Sequence, residues 1–537
     1  MLLALCLVFS SCGLITVGGN EDETKAHETA EAPKNTETDD APVSASEKSS
    51  DSENEAYDEP ESAADRAKAR VDALASFDFK DQSFIIATTS EMTFATEGDS
   101  YYDRVLLLRD SIVEEKYNVD IITISAEEGK IEAELRNAAL ADEYYADLIS
   151  VPEYRIGILA AKGLITNLRS LPFYSTSNSY SKYSEEGAAG SAIYADIGAA
   201  SCDFSKIYAV FFNRFAAESL GYDLDSMVSD GEWTWDTFDR IARKANEQFG
   251  MVGQGTAAMG NEYTDIVFRS ANIKLVDNTL GQTPVISFDS PKLEAVIEQA
   301  CALIYGNPSS YKPAAGASED DFFSLFSSGQ LLFAMAPLSR MYEFSKCNIE
   351  WGVLPIPKAD ESGEAYYAYT EASANVLAVP SENNKFEMTG VLIGALNTAS
   401  YELLAEEYKI NCLYNYFRNV KAMRSMDAVL DSITFDFTYL YSSGADMLAN
   451  ATHGAVREAR TSTSDYATDL INSRKDAANA QLEDLFGSKA SPEEPLPERE
   501  TAQPEDTDIT ADTEQNTEET APEDAENENN TDTAENE

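Results

Sequence analysis

Short apolar, β-branched runs alternate along this chain with stretches in which apolar residues return every three or four positions. A polar helix is predicted at residues 61–74, ahead of the first such run. Residues 84–88, Phe-Ile-Ile-Ala-Thr, have the pattern of a buried strand. Residues 104–116 place Val105, Leu108, Ile112 and Val113 near helical spacing, and 119–124 read as a second strand. Residues 131–140 predict another helix, and 146–151 a third strand that stops at Pro152. Alternation of this kind predicts an α/β fold with a parallel sheet covered by helices, whose ligand crevice lies beyond the carboxyl ends of the strands.

The pattern continues through the middle of the chain. A helix at 155–162 stops at Gly163, a C-cap signal, and an apolar stretch at 165–168 leads to the turn around Pro172. Residues 206–213 read as a strand and 214–220 as a helix ending at Gly221. Thr234 is a helix N-cap candidate, with Trp233 and Phe238 at the positions of a hydrophobic staple, so the tryptophans here are expected to pack a helix start rather than stack on a ligand. The glycines of 250–255 lack the lysine and the strand-to-helix setting of a phosphate loop, and the segment is read as an ordinary loop.

Composition changes the picture at both ends. The 537 residues carry a formal net charge of −56, which excludes nucleic-acid binding through phosphate neutralisation. Residues 20–65 hold 16 acidic and 3 basic side chains and residues 489–537 hold 18 and 2. Segments so acidic, with so few large apolar residues, cannot bury enough surface to offset the entropy of ordering, and both are expected to be disordered. The amino terminus adds an apolar run, residues 2–9, followed by Ser10, Ser11 and Cys12. It is too short to span a bilayer and resembles a bacterial lipoprotein signal, which would remove residues 1–11 and leave Cys12 as the lipidated first residue of an exported protein. Residues 12–77 then form an acidic tether ending in a short helix, and 488–537 a tail. The body between them is too long for one hydrophobic core, so two lobes are expected.

Candidate chemistry is sparse. His27 lies in the tether and His453 is the one histidine of the body, which leaves little material for a zinc site or a histidine-based triad; His453 is expected on a helix surface. Cys202, Cys301, Cys347 and Cys412 are too widely spaced for a metal-ligand pattern, and both disulfides and buried thiols are compatible with them. No cofactor or metal is expected.

Four ordered stretches resemble the extracellular solute-binding proteins of ABC importers, in particular the family 1 carbohydrate-binding group. They are 146–165 with Ala146-Asp147-Leu148-Ile149, 323–336 with Gly329-Gln330, 351–358 followed by Tyr366-Tyr367, and 424–431 with Phe435-Asp436-Phe437 beyond. Pro337-Leu338-Ser339 departs from the many sugar-binding members that carry Gly and Trp there. The resemblance implies a two-lobed, type II periplasmic-binding-protein fold whose chain crosses between lobes near 208–213 and 367–371. Lobe 1 would comprise 78–205 and 372–421, and lobe 2 would comprise 206–371 and 422–487. It implies a monomeric, non-enzymatic receptor on the outer face of the cell membrane that captures a small solute, a sugar or oligosaccharide, and delivers it to an ABC permease. Strand ends and crossings then nominate Thr89, Ser90 and Glu91 after the first strand, Tyr154 after the third, Asn213 near one crossing, Arg340, and Tyr369 and Glu371 at the other. Two rival readings stand beside it: a surface glycosidase using two acidic residues, and an adhesion or sensor lipoprotein that has kept the two-lobed fold but lost transport.

Overall fold

Most apolar runs become buried strands, and the periodic stretches become helices, several of them capped by their own side chains. The computed structural model describes residues 62–487 apart from 177–180, 182, 258–261, 315, 364, 372 and 460–463. Cys12, the signal segment, most of the tether and the acidic tail therefore lie outside the described residues.

Helix α1 (Ala63–Asp72) begins at Ser62, whose hydroxyl accepts from the Asp65 amide, and buries Ala63, Ala67 and Val71. Then follow β1 (Gln82–Thr88), α2 (Tyr101–Tyr117), β2 (Val119–Ser125), α3 (Glu128–Ala141), β3 (Leu148–Pro152) and α4 (Ile156–Ala161). A reciprocal capping box of Ser100 and Asp103 opens α2, and Asn118, in the left-handed region at φ 51°, closes it. β1, β2 and β3 are parallel, with β1 between the other two.

A second lobe is built from β4 (Tyr208–Asn213), α5 (Arg214–Ser219), α6 (Leu224–Ser229), α7 (Trp235–Phe249), β5 (Val252–Thr256), α8 (Glu262–Ser270), the short pair β6 (Val276–Asp277) and β7 (Val285–Ile286), α9 (Ser290–Cys301), α10 (Glu319–Ser327), β8 (Leu331–Pro337), α11 (Met341–Ser345) and β9 (Trp351–Pro355). Its sheet runs β5-β8-β4-β9, and the two inner strands are buried along their whole length, as sheets covered on both faces require. The chain then returns to the first sheet as β10 (Asn375–Ala378), antiparallel to β3, and continues as the long α12 (Phe386–Asn415), which packs on α1 and α2. Helices α13 (Met426–Asp431), α14 (Phe437–Tyr441), α15 (Asp446–Ala451), α16 (His453–Ala459) and α17 (Ser464–Phe486) finish the fold.

The expected helix start at Thr234 is present: its hydroxyl accepts from the Thr237 amide at 3.3 Å and Trp233 meets Phe238 edge to face at 5.9 Å. Both neighbouring tryptophans are fully buried, with indole N–H groups donating to the Pro355 carbonyl and to Ser270 Oγ. Two expectations are corrected. Residues 252–256 are not a loop but strand β5, which carries glycines because other groups pass too close for a side chain: a Cβ on Gly253 would meet the Ala242 carbonyl at 2.5 Å. His453 is not on a helix surface; it is buried, stacked on Tyr439 at 4.4 Å. Among the described residues no disulfide joins Cys202, Cys301, Cys347 or Cys412.

Candidate interlobe site

The two sheets are joined by a ribbon of three extended segments. Residues 206–208 pair antiparallel with 369–371, through Tyr208 N–H to Tyr369 O at 2.9 Å and Glu371 N–H to Lys206 O at 3.1 Å. Residues 432–434 lie beside Ala368, whose amide donates to the Ser432 carbonyl at 2.7 Å. The first crossing thus sits at the beginning of β4 rather than along it, and the third was not read from the sequence. β8 and β9 end where β4 begins, because both run antiparallel to it, so their carboxyl ends approach the ribbon. The carboxyl ends of β1 and β3 approach it from the other lobe: Ser90 Oγ donates to Asp203 at 3.2 Å, and the Glu153 amide donates to the Ala374 carbonyl at 2.8 Å. This is the crevice that open α/β sheets offer to ligands.

Alternate side chains of an extended segment point to opposite faces. On one face of the ribbon, Lys206 ion-pairs with Glu371 at 3.0 Å and the Tyr208 ring meets the Tyr369 ring at 5.1 Å. Lobe 2 adds partners from distant helices. Tyr208 donates to Glu262 at 2.9 Å, Arg457 grips Asp265 with contacts of 2.5 and 2.9 Å, and Tyr369 reaches Tyr439 at 6.3 Å. Burial, with Glu262 beside it, pushes the Tyr208 hydroxyl far above its ordinary range, so it stays a hydrogen-bond donor. Burial raises Glu262 as well, against the Tyr208 hydrogen bond. Lys206 and Glu371 remain 27% and 29% exposed, enough to reach a guest. Behind them Arg269 pairs with buried Asp436 at 2.6 Å, and His453 stands 3.5 Å from the same carboxylate.

The nominated residues divide. Tyr369 and Glu371 lie in the ribbon. The Thr89 hydroxyl is tied to Asn375 at 3.2 Å, and Ser90 to Asp203, so both anchor the top of the first sheet. Glu91 is exposed and accepts from Thr96 at 3.4 Å. Tyr154 donates to Glu128 at 2.5 Å, beside the start of α3. Arg340 lies over Phe323 and pairs with Glu319 and Glu343, so its charge is already matched. Asn213 is at the opposite end of β4 from the ribbon, where its side chain caps α5 by accepting from the Ala216 amide at 3.1 Å. Sequence reading missed Lys206, Tyr208, Glu262, Asp265 and Arg457. They converge from distant parts of the chain, Arg457 and Asp265 alone lying 192 residues apart, and no local spacing announces such pairs.

Among the described residues no helix is long and apolar enough to cross a membrane, and no three acidic, histidine or cysteine side chains gather as a metal site. No curated protein matches the chain in sequence. Among solved structures, the sugar-binding protein MalE of the phytopathogen Xanthomonas citri superposes with a TM-score of 0.53 at 10% identity, covering 75% of this chain and 99% of its own. The galacto-N-biose/lacto-N-biose I-binding protein of an ABC transporter from Bifidobacterium longum gives 0.47 at 12% identity, covering 77% and 99%. The first likeness gives the fold, a two-lobed α/β architecture of the periplasmic-binding-protein type. Residues 111–400, more than half of the chain, match the bacterial extracellular solute-binding proteins, and the chain belongs to that family.

Proposed function

We propose that this protein is a lipid-anchored receptor of an ABC importer, acylated at Cys12, that closes two lobes over a carbohydrate and hands it to a permease. The lobes would be 78–205 with 372–421, and 206–371 with 422–487, carried on the tether that ends in α1 and followed by the tail 488–537. The observation that carries the reading is the ribbon, where the strand ends of two sheets meet and half-buried charged groups stand beside tyrosine rings. Sugars are held by such oriented polar groups and aromatic faces in a closing groove. The carbohydrate class follows from the family 1 stretches in the sequence and is in keeping with the sugar-binding neighbour from Xanthomonas citri.

In this proposal Lys206, Glu371 and Arg457 reach the solute, Tyr208 and Tyr369 back the groove, and Thr89, Ser90, Glu91 and Tyr154 form the rim of the first lobe. Glu371, Asp265 and Asp436 are each held by a cation rather than left free for proton transfer, which favours binding over catalysis at those three carboxylates. Micromolar affinity needs about 8 kcal/mol, within reach of a few charge-assisted hydrogen bonds in a desolvated groove. Thermal unfolding of the purified protein against a panel of mono- and oligosaccharides tests the reading. A rise in melting temperature with a sugar recovered unchanged supports it. No shift at millimolar sugar across the panel, or a hydrolysis product, overturns it.

A further inference from the structure

The other face of the ribbon borders a cavity of about 550 Å3, a size that accommodates small organic ligands. Tyr369 and Glu371 point toward the polar cluster described above, whereas Thr370 between them lines this cavity, which puts it on the opposite side from the proposed sugar groove. The remaining walls come from α12, from the first crossing around Asp203 and Phe204, and from the segment after α13. Tyr183, Ile433 and Phe435 give it apolar sides.

Two buried hydroxyls lining it have no hydrogen-bond partner among the described residues, Thr370 Oγ1 at 5% residue exposure and Ser400 Oγ at 2%. Buried polar groups are normally satisfied, so each such hydroxyl marks a place for a polar atom of a guest. Glu153, 4% exposed, also lines the cavity; among the described residues no hydrogen bond reaches its carboxyl, and Arg269 and Asp436 act on it only electrostatically. Around the walls and mouth stand five carboxylates, Glu153, Asp203, Glu402, Glu406 and Asp431, against two cations. Both cations are engaged: Arg66 with Glu402 and Glu406, and Lys409 with Asp427.

We infer that this cavity is a second ligand site, on the outer face of the ribbon, for a small amphipathic amine, whose apolar body lies against Phe435 and Ile433 and whose ammonium and hydroxyl groups meet Glu153, Thr370 and Ser400. An occupant there touches α12 of the first lobe and the ribbon at once, so it acts as an effector of lobe movement rather than as cargo. The inference stands whichever solute fills the groove on the other face.

Tyramine is the probe, read by calorimetry and thermal unfolding of the full chain, with 2-(4-hydroxyphenyl)ethanol and 4-hydroxyphenylacetate as neutral and anionic counterparts of the same shape. Tyramine is expected to bind at least about tenfold tighter than either, the gain of one charge-assisted hydrogen bond. Ala405→Trp, which fills the cavity from α12, is expected to abolish binding. Should that variant not fold, Glu153→Gln keeps the volume and is expected to weaken tyramine by about tenfold while leaving the neutral alcohol unchanged. No tyramine binding at millimolar concentration, equal binding of the three compounds, or affinity that survives Glu153→Gln unchanged overturns the site.

Discussion

Glu153 and Asp436 are both buried carboxyls beside Arg269, yet they titrate in opposite directions. Burial opposes the charge of Asp436, but Arg269 at 2.6 Å, His453 at 3.5 Å and the Thr438 amide at 2.7 Å outweigh it and hold the carboxyl well below its usual range. Glu153 has no such partner, so burial dominates and pushes it well above its usual value, with Arg269 pulling only partly the other way. A raised folded-state pKa contributes stability that is complete below the ordinary value of 4.5 and is lost as pH rises through the folded value. Glu153→Gln is therefore expected to match the parent in urea unfolding near pH 4 and to be the more stable protein at neutral pH. Parallel stability curves across that range would exclude the assignment. None of this was legible from sequence, because Glu153 sits in an ordinary turn after a strand and its surroundings come from α8 and α14, more than a hundred positions away. The same distance misled the reading of His453: a lone histidine in a helical stretch looks solvent-facing until Phe268 and Tyr439 pack around it.

The elements themselves were largely written in the pattern of the chain. β1 and β3 are apolar runs that the fold buries, whereas β2, an apolar run at the sheet edge, buries only Val119 and leaves Ile122 and Ile124 exposed, as α2 leaves Leu108, so the pattern announced the elements better than their burial. β5 escaped because Val-Gly-Gln-Gly-Thr has the composition of a loop; its strand character is imposed by pairing with β8 and by the close passage of α7 and Tyr311. The junction of α4 with the turn after α14 shows the same logic. A Cβ on Gly157 would lie 2.7 Å from the Tyr441 carbonyl and 2.9 Å from the Gly444 amide, so backbone packs on backbone. Hydrogen bonds from Ser443 to the Tyr154 carbonyl and from the Ile158 amide to Ser443 Oγ fix the contact. Gly157→Ala forces the two segments apart and is expected to cost about 1–3 kcal/mol in chemical unfolding, a range set by overpacking. An unchanged midpoint would mean that this contact opens freely in solution.

At the scale of the whole molecule, the two-lobed plan was readable from length and from the order of the four family-like stretches, while the three-segment ribbon was not, since it exists only as pairing between distant pieces of chain. That ribbon is where stability and binding separate. The Lys206–Glu371 pair is nearly a third exposed, and ion pairs of that kind add about 1 kcal/mol or less to folding. Asn213, by contrast, caps α5 at the far end of β4, and loss of such a cap costs about 1 kcal/mol without touching the crevice. The two substitutions should therefore act in opposite ways on the sugar identified by the panel. Glu371→Gln is expected to weaken it by about tenfold or more, the loss of one charge-assisted contact, while shifting the melting temperature little. Asn213→Ala is expected to lower the melting temperature and leave the affinity unchanged. Calorimetric titration beside thermal unfolding separates the cases. If Glu371→Gln binds like the parent, the solute does not rest on this face of the ribbon, and if Asn213→Ala loses affinity, the far end of β4 is nearer to the guest than the crossing of the strands allows.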